Sequence, residues 1–311
     1  MKVLVQNYAT TSTTEPLYIS ESINSVPGCE CVLWGRNDVS AFDIFDIVKP
    51  DIFITHTNFL TSDIMKYLSS NKKITSVFNI TGAKQADIDT IDSVMLENKV
   101  QCNLLFTNQP RKLNSLIQRK IKLISIMSGA DVFLQKQNTV LPEYRVDLGI
   151  ITNYSLPPES KLIDSCSTYH NLSGEPDLSS EVDINIDALF MHELYSRYKR
   201  VVITDDEMVI PQYFFDSILY GNETYYMPKA AAQVKQMDEI IQGFFSTNQS
   251  LVIGEEDVTS HSVDFSRIKK TLLSKHTCLS RVKRLFSRLK CSEVETEMER
   301  LIQEGVNSEN S

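Results

Sequence analysis

The feature that most constrains the fold is a regular alternation of short apolar runs and amphipathic segments over residues 2–150. The apolar runs, such as KVLVQ at 2–6 and DIFIT at 51–55, have the length and the β-branched content of buried strands. Strands that alternate with helices form parallel sheets with helices on both faces. We therefore predict an α/β domain with strands at 2–6, 31–34, 51–55, 74–80, 103–107 and 121–127, and helices at 17–26, 41–48, 62–69 and 84–96.

A second parallel sheet is predicted from residue 146 onward, and its most informative segment is 201–227. A β-branched strand at 201–204 stops at Asp205. Pro211 then begins a helix, because its missing N–H costs nothing in the first helical turn. Gly221 occupies the position of a left-handed C-cap, and a strand follows at 224–227. Further strands are expected at 146–152 and 162–167, and further helices at 184–198, 229–245 and 267–289.

The turn between the 201–204 strand and the next helix is a candidate binding site. Ligands of parallel α/β sheets bind outside the carboxyl ends of strands, where a helix N-terminus offers N–H groups to an anion. Asp216, one turn into the helix, has two carboxylate oxygens that suit a vicinal diol such as that of ribose. The alternative is that Asp216 only solvates a helix face. The residues at the turn itself are Thr204, Asp205, Ile210, Pro211 and Gln212.

This segment resembles a known group of enzymes. The run IPQYFFDSILYG at 210–221 is similar to the nucleotide-sugar turn of GT-B glycosyltransferases of the CgeB-like group, in which an acid and a glycine stand at the positions of Asp216 and Gly221. The run LLSKHTCLSRVKRLF at 272–286 resembles the closing helix of the same group, at His276, Thr277 and Arg281. The whole sequence also resembles phage-encoded glycosyltransferases.

The resemblance implies a fold and an activity. The fold is two facing Rossmann-like domains with a cleft between them: an acceptor domain at 1–145, a nucleotide-sugar domain at 146–290, and a C-terminal helix and tail at 291–311 that crosses back. The activity is sugar transfer from a nucleotide-sugar, with Asp216 on the donor ribose and no cofactor or essential metal. A metal-dependent variant stays open, because Asp205 and Asp206 resemble the DxD motif of other glycosyltransferases.

Two polar strand ends supply candidates for catalysis. The loop NYATTSTTEP at 7–16 is dense in hydroxyl groups. His56 ends the third strand and has an unperturbed pKa near neutrality, so His56 and Glu15 are the candidate general bases. Asp38 and Asp43 are the alternatives. The loop is alternatively only a helix cap, with Glu15 favoured by the helix dipole. The residues of this loop assigned to acceptor binding are Tyr8, Thr11, Ser12 and Thr13.

Other residues are candidates for contact with the donor. The segment TYHNLS, after the strand predicted at 162–167, places Tyr169 and His170 near the same crevice. The negative charge that develops on a nucleoside diphosphate leaving group must be met by N–H dipoles and cations. We assign this work to the helix start at 210–212, with Lys161 or Lys229.

Composition narrows the compartment and the class of protein. The chain is 42% apolar and 23% charged, and no apolar stretch is long enough to span a bilayer, so we expect a cytoplasmic protein. Neither GxGxxG nor GxxxxGK[ST] occurs, which argues against an NAD-dependent oxidoreductase or a P-loop NTPase. The six cysteines form no CxxC pair and are interpreted as reduced thiols without a metal.

The charge distribution bears on the acceptor. The net charge is −9, yet nine Lys or Arg residues and no acid lie between 267 and 290. Arg281, Arg284 and Arg288 follow at steps of three and four and are predicted to share a stripe that contacts DNA phosphates, although a solvated helix face is an equal alternative. The acceptor considered first is 5-hydroxymethylcytosine in phage DNA. A glycan, a protein or a small molecule is the alternative acceptor, and a non-catalytic nucleotide-sugar-binding assembly protein is the alternative function.

Overall fold

The chain divides into two compact units, each with its own parallel sheet. Unit 1 comprises 1–9, 15–127 and 278–301, and unit 2 comprises 10–14, 128–277 and 302–311. The predicted α/β fold with parallel sheets is confirmed, whereas the assignment of acceptor and donor domains stays a prediction. The structure is a computed structural model that describes residues 1–7, 15–35, 39–80, 93, 95–107, 122–126, 129–135, 146–152, 156, 160, 168–171, 195–205, 210–254 and 262–308.

Ten strands are described, six in unit 1 and four in unit 2, and every pairing between them is parallel. The sheet orders are β2-β1-β3-β4-β5-β6 and β10-β9-β7-β8. The strands are β1 (Lys2–Gln6), β2 (Glu30–Trp34), β3 (Ile52–His56), β4 (Thr75–Asn79), β5 (Leu104–Thr107), β6 (Lys122–Ser125), β7 (Val146–Thr152), β8 (Thr168–Asn171), β9 (Tyr198–Asp205) and β10 (Glu223–Pro228).

Nine α-helices are described within the same residues. Unit 1 contains three helices from the N-terminal part of the chain. The C-terminal region returns to it and adds the helix Cys278–Leu289 and most of the helix Ser292–Ser308. The predicted C-terminal crossing back is therefore confirmed. The helices are α1 (Glu15–Asn24), α2 (Ala41–Val48), α3 (Ser62–Ser70), α4 (Val132–Gln135), α5 (Gln212–Leu219), α6 (Val234–Phe245), α7 (Phe265–Lys275), α8 (Cys278–Leu289) and α9 (Ser292–Ser308).

The core of unit 1 lies between its sheet and the helices α2 and α3. The central strands contribute fully buried Leu4, Phe53 and Phe78, and α2 contributes Phe45, whose ring meets Phe53 edge to face at 4.8 Å between centroids. The start of α2 is fixed by Ser40, which accepts the N–H of Asp43 at 3.2 Å. Aromatic packing between α2 and β3 thus stabilises one face of the unit 1 sheet. The helix predicted at 84–96 lies mostly outside the described residues.

The core of unit 2 forms around β7, β9 and β10. Ile150, Val202 and Tyr225 are fully buried in this sheet. Gly221, just after α5, has a φ of +80°, which confirms the predicted left-handed position. Tyr198 already begins β9, so the strand starts three residues earlier than predicted and includes the last residue of the helix predicted at 184–198. Residues 184–194 of that helix lie outside the described residues.

The helix predicted at 267–289 is wrong, because the chain breaks at His276 and Thr277 to give α7 and α8. The N–H of Ala130 donates to the carbonyl of His276 at 3.0 Å, and Ala130 pairs with Thr277 as an isolated parallel bridge. The break between α7 and α8 therefore coincides with a backbone contact to a segment that is distant in the sequence.

Gly129 allows the close approach of these two segments, and its replacement is expected to destabilise the protein. A Cβ at this position would lie 2.8 Å from the backbone oxygen of Thr277 and 2.9 Å from that of His276. Gly129→Ala should lower the free energy of unfolding by about 1–3 kcal/mol, the range for overpacking a close-packed site. Gly243→Ala in α6 is the matched control, since its Cβ would meet nothing within 4 Å. Denaturant unfolding that ranks the two variants equally would contradict the close approach.

Candidate functional site

The carboxyl edge of the unit 1 sheet carries the two predicted general bases. In the order β2-β1-β3-β4, the connections from β1 and β3 leave in opposite directions, so the switch point lies between these two strands. At that point Thr55 Oγ1 donates to Gln6 Oε1 at 2.5 Å, and both side chains are buried. The ends of β1 and β3 are therefore fixed to each other where a ligand of such a sheet is expected.

Glu15 is a buried carboxylate at this edge. It is the first residue of α1, only 8% exposed, and its Oε1 accepts a hydrogen bond from Nδ2 of buried Asn79, the last residue of β4. The helix N-terminus favours the ionised form of an acid in its first turn. The interpretation that Glu15 only caps a helix is therefore incomplete. Its carboxylate also accepts a hydrogen bond from Asn79, at a strand end 64 positions along the chain.

His56 lies beside Glu15's partner in the sheet, because His56 and Asn79 are in register as the last residues of β3 and β4. Nδ1 of His56 accepts the N–H of Asn58 at 3.1 Å. A neutral imidazole that accepts at Nδ1 carries its proton on Nε2, and Nε2 is then a donor. The geometry therefore suits His56 to donating a hydrogen bond, and it leaves Glu15 as the better candidate for accepting a proton.

A small cavity of about 10 Å³, room for about one water molecule, lies next to Glu15 within unit 1. Tyr18 and Arg281 line it together with Glu15, and the rest of the wall is apolar. Arg281 is 7% exposed, and burial lowers its pKa to about 10, partly offset by Tyr18 and reinforced by the neighbouring Arg284. The guanidinium thus remains a cation at neutral pH inside the protein.

The buried position of Arg281 overturns the predicted basic stripe. Arg284 and Arg288 are exposed on α8, whereas Arg281 faces the interior because it lies on the same side of the helix as Val282 and Leu285. Lys283 forms an ion pair with Glu299 of α9. Three arginines therefore do not present one surface to a polyanion, and part of the positive charge is neutralised within unit 1 by the acidic C-terminal helix.

Asp43, one of the two alternative bases, has a capping role. Its Oδ2 accepts a hydrogen bond from the hydroxyl of Ser40 at 2.6 Å in the first turn of α2. The half-buried or buried cysteines include Cys31, whose pKa is raised by burial to about 11, which makes it a poor nucleophile. The assigned residues that lie outside the described part of the chain are Tyr8, Thr11, Ser12, Thr13 and Asp38.

The carboxyl edge of the unit 2 sheet carries the predicted donor residues. In the order β10-β9-β7-β8, the switch point lies between β7 and β9, whose ends pair in register at Thr152 and Thr204. Both threonines are fully buried, and the backbone of Asp205 continues β9 by one residue. Tyr169 and His170 lie within β8, before its end at Asn171, so the prediction that they follow a strand is wrong. Asp206 and Lys161 lie outside the described residues.

The helix after β9 begins as predicted, with one difference in register. Pro211 is the N-cap rather than the first helical residue, and it makes no side-chain capping bond. The side chains of Ile210 and Gln212 are buried. A ligand at this helix start would therefore contact the backbone N–H groups. Lys229, exposed and directly after β10, is the described cation assigned to the same edge.

Asp216 is buried, so the interpretation that it only solvates a helix face is wrong. It is 4% exposed, and its Oδ1 accepts the N–H of Asp131 at 2.7 Å. Burial raises the pKa of the Asp216 carboxyl well above its usual value, and the charge of Asp131 raises it further, while hydrogen bonds from the Asp131 backbone and the Gln212 side chain oppose this. One carboxylate oxygen is thus already engaged with the protein, and the ribose contact stays a prediction.

His276 packs into an aromatic cluster at the break between α7 and α8. Its ring stacks on Phe244 with 3.6 Å between centroids, and its Nε2 lies 2.9 Å from the carbonyl oxygen of Phe244. Phe215 of α5 meets Phe244 at 5.0 Å. The motif residues His276 and Thr277 therefore fix α5 and α7 against α6 in unit 2, with Thr277 buried beside them.

Sequence reasoning missed several partners of the predicted residues. Gln6 and Asn79 are polar residues that end apolar strands, the same signal that singled out His56, so both were accessible from the sequence. The contact of Asp131 with Asp216 spans 85 positions and has no local signal. Within the residues that the structure describes, no group of three or more His, Cys, Asp or Glu is placed to hold a metal ion, and no helix is long and apolar enough to cross a bilayer.

Comparison with known proteins gives distant structural likenesses. No protein-family model matches the sequence, and no curated protein matches it significantly. A UDP-GlcNAc 2-epimerase from Neisseria meningitidis bound to UDP-GlcNAc aligns with a TM-score of 0.47 at 10% identity, over 99% of this chain and 100% of that chain. A calicheamicin glycosyltransferase aligns with a TM-score of 0.46 at 10% identity, over 93% and 98%. A UDP-forming trehalose-phosphate synthase from Burkholderia xenovorans, in complex with glucose-6-phosphate, aligns with a TM-score of 0.45 at 7% identity, over 98% and 99%. Likenesses with TM-scores below 0.5 carry no functional argument, so any function must be argued from the residues of the two sheet edges.

Proposed function

We propose that the chain is a glycosyltransferase that moves a sugar from a nucleotide-sugar to a hydroxyl-bearing acceptor. The observation that carries this proposal is the position of Glu15, a buried carboxylate held by Asn79 at the carboxyl edge of a parallel sheet, next to a histidine whose Nε2 is a donor. A carboxylate in that place accepts the proton of the acceptor hydroxyl while the acceptor oxygen forms a bond to the anomeric carbon. The nucleoside diphosphate leaves with the electrons of the broken bond.

In this proposal the donor binds at the carboxyl edge of unit 2. The switch point at Thr152 and Thr204 and the N–H groups at the start of α5 support this placement, since both are where phosphates bind in parallel α/β sheets. Lys229 adds a cation for the charge that develops on the leaving group. The reaction then needs no metal and no cofactor, and the nucleotide-sugar is a co-substrate.

The proposal predicts that one class of nucleotide-sugar stabilises the whole chain. A ligand at 100 times its dissociation constant should add about 2.7 kcal/mol to the free energy of unfolding. Thermal unfolding in the presence of UDP-, GDP-, CMP- and dTDP-sugars measures this, with the matching free nucleosides as controls. Slow release of the leaving group is expected as well: a nucleoside diphosphate from UDP-, GDP- and dTDP-sugars, and CMP from CMP-sugars. Stabilisation without any release would favour a non-catalytic nucleotide-sugar-binding protein, and no stabilisation by any donor would contradict both functions.

A further inference from the structure

Thr57 is a buried hydroxyl at the switch point of unit 1. It begins the 3₁₀ turn Thr57–Phe59 immediately after β3 and is 5% exposed. Within the described residues its Oγ1 has no hydrogen-bond partner. A buried hydroxyl without a partner costs about 1–3 kcal/mol, so native proteins retain few such groups. A ligand hydroxyl that reaches Thr57 from the ends of β1 and β3 would remove this cost.

The side chains around Thr57 suit a ligand with several hydroxyl groups. Each hydroxyl donates one hydrogen bond and accepts up to two, so a site for a polyol needs donors and acceptors side by side. Nε2 of His56 is a donor because Nδ1 accepts from Asn58. Glu15 supplies carboxylate oxygens, and Asn79, in register with His56, has an amide that both donates and accepts.

The described side chains at this edge show no excess of positive charge. Glu15 and Arg281 line the same cavity, so one acidic and one basic side chain face it. Binding of a phosphate chain requires an excess of Lys or Arg side chains that reach it. Lys283, the next basic residue on α8, is already paired with Glu299. The described groups at the edge are therefore neutral hydrogen-bonding groups, one acidic side chain and one basic side chain.

From these observations we propose that the carboxyl edge of unit 1 binds a neutral, hydroxyl-rich acceptor such as a saccharide, and that Thr57 is one of the residues that select it. The inference rests on the proposed function, because it names the acceptor class of the same transfer. A neutral saccharide differs from the DNA acceptor predicted from the sequence. The test of this inference measures binding and does not require turnover.

Thr57→Val tests the proposal with two readouts that move in opposite directions. Valine has the shape of threonine without the hydroxyl, so the ligand-free variant should unfold at a higher temperature than the wild type. Its affinity for a neutral saccharide should fall by roughly 2- to 13-fold, the equivalent of one hydrogen bond of about 0.5–1.5 kcal/mol. The binding probes are a panel of neutral disaccharides, measured by calorimetry or saturation-transfer NMR. Inorganic phosphate and a duplex carrying 5-hydroxymethylcytosine are the anionic probes.

Two further variants keep the test decisive. Thr57→Ser retains the hydroxyl and should retain the affinity for the saccharide. Thr75→Val, at the opposite end of the neighbouring strand β4, should leave that affinity unchanged. Saccharide binding that survives Thr57→Val, selective binding of the anionic probes, or no binding of any probe would overturn the proposal. Saccharide binding that depends on Thr57 in a chain that never cleaves a nucleotide-sugar would instead refute the transferase function and leave this site standing.

Discussion

Glu15→Gln is expected to lower the turnover of sugar transfer by roughly 100- to 10,000-fold, the range for removal of a general base. Glutamine keeps the length of the side chain and an oxygen that can accept from Asn79, so the fold of the edge should persist. The affinity for the donor should stay nearly unchanged, because the loss concerns a proton transfer in the transition state and not ground-state binding. Steady-state kinetics and calorimetric titration of the donor measure the two quantities separately.

Two controls identify the base. Glu21→Gln changes another glutamate of the same helix and should leave turnover near the wild-type value. His56→Asn keeps an acceptor for the N–H of Asn58 and removes the Nε2 donor, so its loss of turnover should be smaller than that of Glu15→Gln. The assignment would be reversed if His56→Asn abolished transfer while Glu15→Gln transferred normally. In that case the histidine must act as the base despite its tautomer.

Asp216→Ala is expected to lower the free energy of unfolding by about 2–4 kcal/mol. The truncation leaves the buried N–H of Asp131 without its acceptor and creates a small cavity, and both effects are destabilising. A carboxylate that only contacted ribose would instead leave the fold intact on replacement and weaken only the binding of ribose. Denaturant unfolding in the absence of ligand distinguishes the two outcomes: full stability with weakened donor binding would make the ribose contact the main role of Asp216.

Asp216→Asn is the matched control, because an amide oxygen can still accept the N–H of Asp131. Burial raises the pKa of the Asp216 carboxyl in the folded state well above the model-peptide value of 3.8. The stabilising contribution of the protonated acid is therefore complete below about 3.8 and is lost as the pH rises through the folded pKa. Relative to the asparagine variant, the wild type should become less stable with increasing pH over that window. A difference that does not vary with pH would contradict a raised pKa.

The fold was more accessible from the sequence than the site. The strands β1 and β7 and the helix α2 were predicted with their observed bounds, because each has an apolar pattern of one period between clear polar or glycine boundaries. The break at residues 276–277 was missed, since the residues there continue a helical pattern and the break is marked by a backbone contact with distant Ala130. Local periodicity contains no information about such contacts.

For the candidate site, the sequence identified strand ends but not the burial of the side chains there. Asp216 and Glu15 were predicted to face a ligand and Arg281 to lie on an exposed stripe, and none of these predictions included burial against another segment of the protein. Their burial depends on which segments cover them: α1 for Arg281 and the 129–131 segment for Asp216. The choice between a ligand contact and an internal contact was consequently beyond pattern analysis.

The anchoring of both ends of the 7–14 segment has a consequence for protein engineering. The segment starts after Gln6, whose side chain accepts a hydrogen bond from Thr55. It finishes before Glu15, whose side chain accepts a hydrogen bond from Asn79. A connection between two anchored points can change in sequence, and each doubling of its length adds only about 0.6 kcal/mol of closure entropy. Exchange of this segment is therefore a route to a different acceptor preference in the proposed site, while the frame of the sheet and the proposed base Glu15 stay constant.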